Sequence, residues 1–485
     1  MTDQRSRQVP TILGITLLGA ACRLSAIGQP MRFDESISWA YYVGRPWGSI
    51  VASYQQPNNH VLYSLLAKLL AQGVDYAPWA LRLPAFIAGV AIVPLTWAVG
   101  RRFADEKSAM LAAALSVGAT QLVLYATNAR GYSLVVAFFL VLLLVADELR
   151  LSAALGKWTM FSLTAAAGLY TIPVMLYPLG VVVVWLALAS RPMDRMRRPR
   201  FLAALAAASL SAGILAGLLY LPIVATAGLH ALAGNKFVEP SPWPKFAAAL
   251  PRMVVSTLAS WVSPLPWWST AGVAFLALIG VRRRAPDDRP SLVAAAAIWC
   301  GALLLATHRA PFVRVWLFLL PLFLIAVSRG VLRCLPRFAS RDVPRDKWMP
   351  LAVATISLVV AATTHAAEQS DDTGTFRSAR DMTAILSPRL RAGDRVLALI
   401  PTFGPLLYYF PRAGADTAML TVPLYSSRRA FLVLDPRQGQ TLAWALARHI
   451  IDPAQFAEPT LIARYPDGEL WEASRRRLAG GRPLH

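Results

Sequence analysis

Long apolar runs alternate with short basic connections along most of this chain. The runs have 12 to 24 residues, and the longer ones are enough for a helix to cross the hydrocarbon core of a bilayer. With 56% hydrophobic and 15% charged residues, the chain departs from soluble composition. The pattern predicts a polytopic α-helical membrane protein of about eleven spans. The predicted spans are 9–27, 84–100, 110–126, 134–146, 160–172, 174–188, 201–224, 270–281, 292–306, 315–327 and 351–366.

Charge predicts how the spans are oriented. The 485 residues include 48 Lys and Arg against 26 Asp and Glu, a net charge of +22. Most of the excess positive charge lies in loops on the side of the N-terminus, and the most strongly basic loop is residues 191–200. Since short cytoplasmic loops are rich in Lys and Arg, we expect an inner (plasma) membrane protein with a cytoplasmic N-terminus. No basic patch is interleaved with aromatic residues, so no nucleic-acid partner is expected.

Three segments fall outside the bilayer pattern. Residues 28–83 and 226–268 read as long outer loops of a transmembrane module spanning residues 1–367. From residue 368 the composition changes: residues 395–400 and 430–435 read as buried strands, and residues 441–451 as a helix. An odd number of spans puts this end outside. Residues 368–485 are therefore predicted to form a small periplasmic or extracellular α/β domain.

Two adjacent acids, Asp34 and Glu35, follow the first apolar run. Ionised groups beside hydrocarbon are costly, so acids at this depth are candidates for function. The alternative is that they are solvated loop residues, or that they cap a helix starting at Ser36.

Other outer connections carry residues suited to phosphate chemistry. A carboxylate there can take a proton from an acceptor hydroxyl, and arginines can hold a phosphate through charge-assisted bonds. We expect these ends to converge on one cavity at the outer face. The candidates for donor or substrate binding are Asn59, His60, Tyr63, Asn128, Arg130, Tyr132, Arg309 and Arg314.

Each of these residues also has a structural interpretation. Arg130 and Arg314 could anchor the ends of spans at the lipid headgroups. Asn58 and Asn59 come after Pro57 and are typical of a turn, and His60 could cap the helix that follows. The sequence does not decide whether the site binds a metal ion, and the candidate ligands are Glu35, His60 and Glu239. For Glu239 the alternative is a solvated acid.

Four motifs in order resemble the GT-C glycosyltransferases, in particular family 39, which includes protein O-mannosyltransferases and lipid A aminoarabinose transferases. Phe33-Asp34-Glu35 looks like the motif of the first loop, and Asn59-His60-Val61-Leu62-Tyr63 resembles the surface helix of the His-Pro-Pro-Leu type. Arg82-Leu83-Pro84-Ala85 resembles the second span, and Ala129-Arg130-Gly131-Tyr132 resembles the turn of the Glu-Ala-Arg-x-Tyr type.

The resemblance implies a GT-C-like bundle, a polyprenyl-phosphate sugar donor, and inverting transfer on the outer face to a lipid, glycan or protein acceptor. It places the general base at Asp34, with Glu35 as a supporting acid. Some members of the family use a divalent metal near this site and others do not. Two departures matter: Val61-Leu62 replaces Pro-Pro, and Asn128 replaces the family's second acid, which argues against naming a particular sugar.

The sequence thus predicts a membrane glycosyltransferase, hexosyl or pentosyl. Two alternatives come from other classes. A transporter or flippase of lipid-linked sugars would carry ionisable residues at mid-membrane depth, where few are seen. A non-catalytic scaffold would bind the donor lipid without turning it over.

Overall fold

The computed structural model describes residues 2–56, 58–191, 193–234, 238–282, 290–334, 348–420, 429–448, 450 and 454–476. The chain divides into two compact units. We call residues 1–28 with 46–368 the membrane unit, and residues 29–45 with 369–485 the C-terminal unit.

Helices dominate the first half of the chain. They are α1 (Thr2–Ala26), α2 (Phe33–Ser38), α3 (Trp47–Ala52), α4 (Val61–Ala71), α5 (Pro78–Phe103), α6 (Glu106–Ser116), α7 (Thr120–Ala126), α8 (Tyr132–Leu151), α9 (Leu155–Thr171), α10 (Leu176–Ala189) and α11 (Arg197–Ala227). A π-helical turn, Trp39–Val43, follows α2.

The second half begins with helices and ends with a sheet. The helices are α12 (Leu229–Ala233), α13 (Trp243–Val262), α14 (Ser269–Val281), α15 (Leu292–Thr307), α16 (Leu320–Cys334), α17 (Trp348–Thr364), α18 (Ala366–Gln369), α19 (Ala379–Leu386), α20 (Phe403–Arg412) and α21 (Leu442–Ala447). The strands are β1 (Arg395–Ala398), β2 (Arg429–Leu434), β3 (Thr460–Tyr465) and β4 (Gly468–Ser474). A 3₁₀ segment, Val313–Leu319, leads into α16.

The membrane unit contains helices that can cross a bilayer. Among the described residues, Gln8–Ala26, Pro78–Phe103, Arg197–Ala227 and Val313–Cys334 are long and apolar enough, and they coincide with four predicted spans. Other apolar helices have 10–17 residues, fewer than a straight span needs. The protein is a multi-pass membrane protein, and the figure of eleven spans stays a prediction.

The predicted span 110–126 is broken. Its residues belong to α6 and α7, which meet at an angle of 58°. Gly118 lies at the break, where a Cβ atom would overlap the backbone carbonyl of Ser357 in α17. The close approach of α17 therefore requires glycine here. Hydropathy alone does not show such a bend.

Arg23, near the end of α1, ties helices of the membrane unit together. Its side chain is fully buried, and its guanidinium donates to the carbonyl oxygens of Gly19, Ser116 and Val117 at 2.9–3.3 Å. A buried cation keeps its charge at lower cost when it is hydrogen-bonded in this way.

The C-terminal unit contains a four-stranded sheet in the order β1-β2-β4-β3. Strands β1 and β2 run parallel, while β4 pairs antiparallel with both β2 and β3. Phe431 and Val433 of β2 pack into one core cluster, and Ala430, Leu432 and Leu434 pack into another. Successive strand residues face opposite sides, so β2 is buried on both faces and its uninterrupted apolar run is explained. Strands lie at both predicted places, with β1 ending two residues earlier than predicted, at Ala398, and β2 shifted by one residue, to Arg429–Leu434. The predicted helix 441–451 is shorter, and its last residue lies outside the described part of the chain.

The acid-bearing stretch of the first loop belongs to the C-terminal unit. The backbone N–H of Phe33 donates to Gly374 O at 2.8 Å, and that of Asp34 donates to Thr373 O at 3.2 Å. The hydropathy pattern predicts that residues 28–83 form one outer loop of the transmembrane module. In the structure, residues 29–45 instead pack with residues 369–485.

Candidate functional site

The candidate residues form two groups. We call Asp34 and Glu35 on α2, with Arg32 before them, the acid group of the C-terminal unit. We call His60, Arg130 and Tyr132 the cation group of the membrane unit.

Helix α2 orients the two acids differently. It begins at Phe33 rather than at Ser36, so both acids lie in its first turn. Glu35 is fully buried, and its Oε1 accepts a hydrogen bond from the backbone N–H of Arg32 at 2.8 Å. Asp34 keeps 8% of its surface exposed. The capping interpretation therefore describes Glu35 well, whereas Asp34, which is also buried, keeps the larger exposed fraction of the two acids.

Arg32 fixes the start of α2. Its guanidinium donates to Gln29 Oε1 at 3.0 and 3.1 Å, to Ser370 O at 2.7 Å and to Asp372 O at 3.1 Å. Its side chain is 1% exposed. Sequence reasoning gave Arg32 no role, although its place two residues before Asp34 was a usable signal.

In the cation group, a short turn brings Arg130 and Gly131 against His60. Arg130 Nη2 lies 3.0 Å from His60 Nε2, and the backbone N–H of Gly131 donates to His60 Nδ1 at 2.9 Å. His60 and Arg130 are both 2% exposed. Tyr132, the first residue of α8, packs its ring edge-on to His60 with the ring centroids 5.2 Å apart.

These contacts keep His60 neutral. A neutral imidazole has one nitrogen that accepts a hydrogen bond and one that donates, and an imidazolium ion has no acceptor. Both ring nitrogens here face N–H groups, so protonation of the ring is disfavoured. Burial, and then the charges of Arg130 and Arg314, hold the pKa of His60 well below its ordinary value of 6.5. Two cations thus act on one buried neutral ring.

Tyr54 also belongs to this environment and was missed by the sequence analysis. Burial raises the pKa of its phenol to about 12, against the opposing charge of Arg130. The phenol therefore stays protonated and can donate a hydrogen bond. Tyr54 stands three residues before Pro57, outside every recognised motif, so no sequence pattern points to it.

Three candidates have contacts typical of structural residues. The Asn59 amide donates to Ile50 O at 2.8 Å and Ser53 O at 2.9 Å and accepts from Ser64 Oγ at 3.2 Å. The Tyr63 hydroxyl donates to Leu81 O at 2.6 Å. Asn128 is fully buried, and its backbone carbonyl accepts from Arg130 N at 2.7 Å.

The remaining candidates differ in their surroundings. Arg314 stacks on the ring of Phe312 at 4.4 Å, and its charge reaches His60. Arg309 is partly exposed, and Glu239 is exposed. Within the described residues, no three His, Cys, Asp or Glu side chains gather where they could hold a metal ion. Glu35, His60 and Glu239 are therefore not joined in such a group, and we derive no step through a metal.

The fold is similar to that of solved GT-C structures, so the resemblance seen in the sequence motifs holds for the fold. No protein-family model and no curated protein matches the chain by sequence.

Among solved structures, the chain resembles ArnT from Cupriavidus metallidurans. The apo crystal structure aligns with a TM-score of 0.56 and 13% identity, covering 97% of this chain and 98% of ArnT. The crystal structure of the same protein bound to undecaprenyl phosphate aligns with a TM-score of 0.50 and 13% identity, covering 96% and 98%. At this identity the likeness establishes a shared fold, and the reaction has to be argued from the residues.

Proposed function

We propose that this protein is an integral membrane glycosyltransferase that moves a sugar from a polyprenyl-phosphate donor to an acceptor on the outer face of the membrane. The observation that carries the proposal is the cation group together with Arg314: the Arg130 guanidinium lies 3.0 Å from the buried ring of His60, and the charge of Arg314 acts on the same ring. The fold is shared with a protein that was crystallised with undecaprenyl phosphate. A polyprenyl-phosphate donor releases a phosphate, and a buried cationic site stabilises the charge that develops there.

In this proposal Arg130 and Arg314 bind the donor phosphate. A guanidinium can form two parallel hydrogen bonds to phosphate oxygens. The low dielectric of a buried site makes this attraction stronger than it would be in water. His60 supports Arg130 by staying neutral, since a second buried positive charge at 3.0 Å would repel the guanidinium.

Asp34 acts as the general base in the proposal. It is the less buried of the two acids, with 8% of its surface exposed against 0% for Glu35, which favours Asp34 as the acid that meets an acceptor hydroxyl. As that oxygen attacks the anomeric carbon, the bond from this carbon to the phosphate oxygen breaks, and the hydroxyl proton passes to the Asp34 carboxylate. A single displacement of this kind inverts the anomeric carbon. Glu35 serves as a positioning residue, because its carboxylate holds the start of α2. The donor sugar is a hexose or a pentose.

Lipid binding tests the phosphate site. Purified protein in nanodiscs is titrated with undecaprenyl phosphate, and Arg130→Gln and Arg314→Gln are each compared with wild type. Loss of a charged hydrogen-bond donor costs about 1.5–3 kcal/mol, which corresponds to roughly ten- to 150-fold weaker binding.

Arg195→Gln is the matched control, since Arg195 is exposed and lies outside both groups. Its affinity should equal that of wild type. Wild-type affinity in both Arg130→Gln and Arg314→Gln would remove the proposed phosphate site. Because Asp34 is not expected to bind the phosphate, Asp34→Asn should retain lipid affinity, which separates binding from proton transfer.

A further inference from the structure

The C-terminal unit contains a polar cavity apart from the acid group. Its volume is about 500 Å³. It lies beside the start of α19 and the turn between β3 and β4. The side chains that matter for the argument are Asp371, Asp381, Asp467, Arg377, Ser378 and Tyr465.

Ser378 lines this cavity, and the hydrogen bonding of its hydroxyl is unusual for its position. It is the N-cap residue of α19, and such a serine normally accepts a hydrogen bond from the first turn of its helix. Here its side chain makes no capping hydrogen bond. The residue is 5% exposed, and its buried Oγ has no hydrogen-bond partner among the described residues. A buried hydroxyl without a partner is costly, so a ligand group that reached this oxygen would gain a favourable hydrogen bond.

Hydrogen bonds connect the residues that line the cavity around Ser378. The carboxylate of Asp467, 5% exposed, accepts hydrogen bonds from the backbone N–H groups of Arg377 and Ser378. Thr375 Oγ1 donates to Asp371 Oδ1 at 3.0 Å. The cavity therefore presents fixed polar groups, as a binding site that recognises its ligand by hydrogen bonds requires.

Charge limits what can bind. The lining carries three carboxylates and two guanidinium groups, and one of these, Arg437, is paired with buried Asp435 at 2.9 Å. Negative charge is therefore in excess, which disfavours phosphates, sulfates and acidic sugars. A bound metal ion does not fit either, because the described carboxylates do not gather around one point.

A saccharide satisfies these conditions. Each sugar hydroxyl can donate to a carboxylate and accept from a guanidinium, a serine or a tyrosine. The Tyr465 ring adds an aromatic surface, and burial together with Asp381 raises the pKa of its phenol, so the hydroxyl remains a donor. From the cavity and its unpartnered serine, we infer that the C-terminal unit binds a saccharide that is neutral or carries an amino group.

This site goes beyond the proposed function, since binding here requires neither donor nor transfer. Under that function the bound saccharide belongs to the acceptor, an assignment that rests on the proposal, whereas the binding itself does not. Failure of transfer with retained saccharide binding would overturn the proposed function alone. Absence of saccharide binding in a protein that transfers sugar would overturn this inference alone.

The test measures the affinity of the full chain in nanodiscs, without donor, for maltotetraose, a glucosamine tetramer and a galacturonic acid tetramer. The neutral and amino-bearing tetramers should bind, with the glucosamine tetramer at least as tight. Ser378→Ala should weaken both by about threefold to tenfold, the loss of one hydrogen bond. Asp381→Asn should weaken the glucosamine tetramer more than maltotetraose.

Glu458→Gln is the matched control, since Glu458 is an exposed acid of the same unit outside the cavity. Ser378→Ala removes a hydroxyl without a partner, so its melting midpoint should equal or exceed that of wild type, which separates lost binding from lost folding. The inference is overturned if neither uncharged nor amino-bearing tetramer binds, if the galacturonic acid tetramer binds tightest, or if both cavity variants bind like Glu458→Gln.

Discussion

Gly131 makes possible the turn that places Arg130 on His60, and Gly131→Ala tests this directly. The residue has φ −78° and ψ 5°, values that alanine also adopts, so backbone strain does not contribute. A Cβ atom built there would lie 2.5 Å from Thr171 Cγ2 and 3.4 Å from His60. The distance from this Cβ to His60 is an ordinary van der Waals contact. The distance to Thr171 Cγ2 is too short, so the atoms there would have to move apart.

The expected cost of Gly131→Ala is that of overpacking, about 1–3 kcal/mol of unfolding free energy. Thr171→Ser removes the clashing methyl group and keeps the hydroxyl that donates to Ala167 O at 2.8 Å. The alanine should therefore cost less than about 1 kcal/mol in the Thr171→Ser background. Such a double-mutant cycle isolates the coupling between the two residues.

The assay is denaturant unfolding in detergent micelles, with undecaprenyl phosphate affinity as a second readout. Gly156→Ala is the control, because no atom lies within 4 Å of a Cβ built at this helical position. It should stabilise the protein by about 0.4–1 kcal/mol, because alanine reduces the conformational freedom of the unfolded chain. An equal penalty for Gly131→Ala in both backgrounds would refute the steric reasoning.

Three further predictions follow from the same contacts. Because the pKa of His60 lies below its ordinary value of 6.5, the unfolded chain takes up this proton first as the pH falls. The unfolding free energy should thus decrease below about pH 6.5, by at most about 1.4 kcal/mol per pH unit for this group, and the decrease should be smaller in His60→Gln. Glu35→Ala should lower stability by about 1–3 kcal/mol, while Glu35→Gln, whose carbonyl oxygen can still accept from the backbone, should lose less in the same unfolding assay. Gly118→Ala should lower the melting midpoint, because its Cβ would overlap Ser357 O, whereas Gly213→Ala, with open space around it, should not.

The sequence predicted best what depends on local hydropathy. Runs such as 201–224 could be read as spans because a helix in hydrocarbon must be apolar along its length. The strand at 430–435 was predictable for a related reason, since burial on both faces removes polar residues from the run.

What the sequence could not predict depends on contacts between distant residues. The break at Gly118 follows from the approach of Ser357, far along the chain. The capping role of Glu35 follows from a helix that begins at Phe33. The backbone N–H groups at this start donate hydrogen bonds to the carbonyl oxygens of Thr373 and Gly374. No local pattern around residues 29–45 indicates that they pack with residues 369–485.

In the candidate site, too, some features were predictable from the sequence and others depend on contacts between distant residues. The motif order singled out His60 and Arg130, but not the shared contact of Gly131 with His60. Asn59 and Tyr63 match the motif, yet their side-chain hydrogen bonds hold neighbouring backbone. Motif matching identifies which residues a fold needs, and only coordinates separate those that hold the fold from those that face a ligand.

The most direct test of the account is the single-turnover rate of sugar transfer from a polyprenyl-phosphate donor by Asp34→Asn protein. Asp75→Asn is the control, since Asp75 is exposed and its positive φ of 50° suits asparagine as well as aspartate. A general base contributes about 10²–10⁴-fold, so Asp34→Asn should slow transfer by that factor while keeping its affinity for undecaprenyl phosphate. Transfer by Asp34→Asn at the rate of Asp75→Asn would contradict the account.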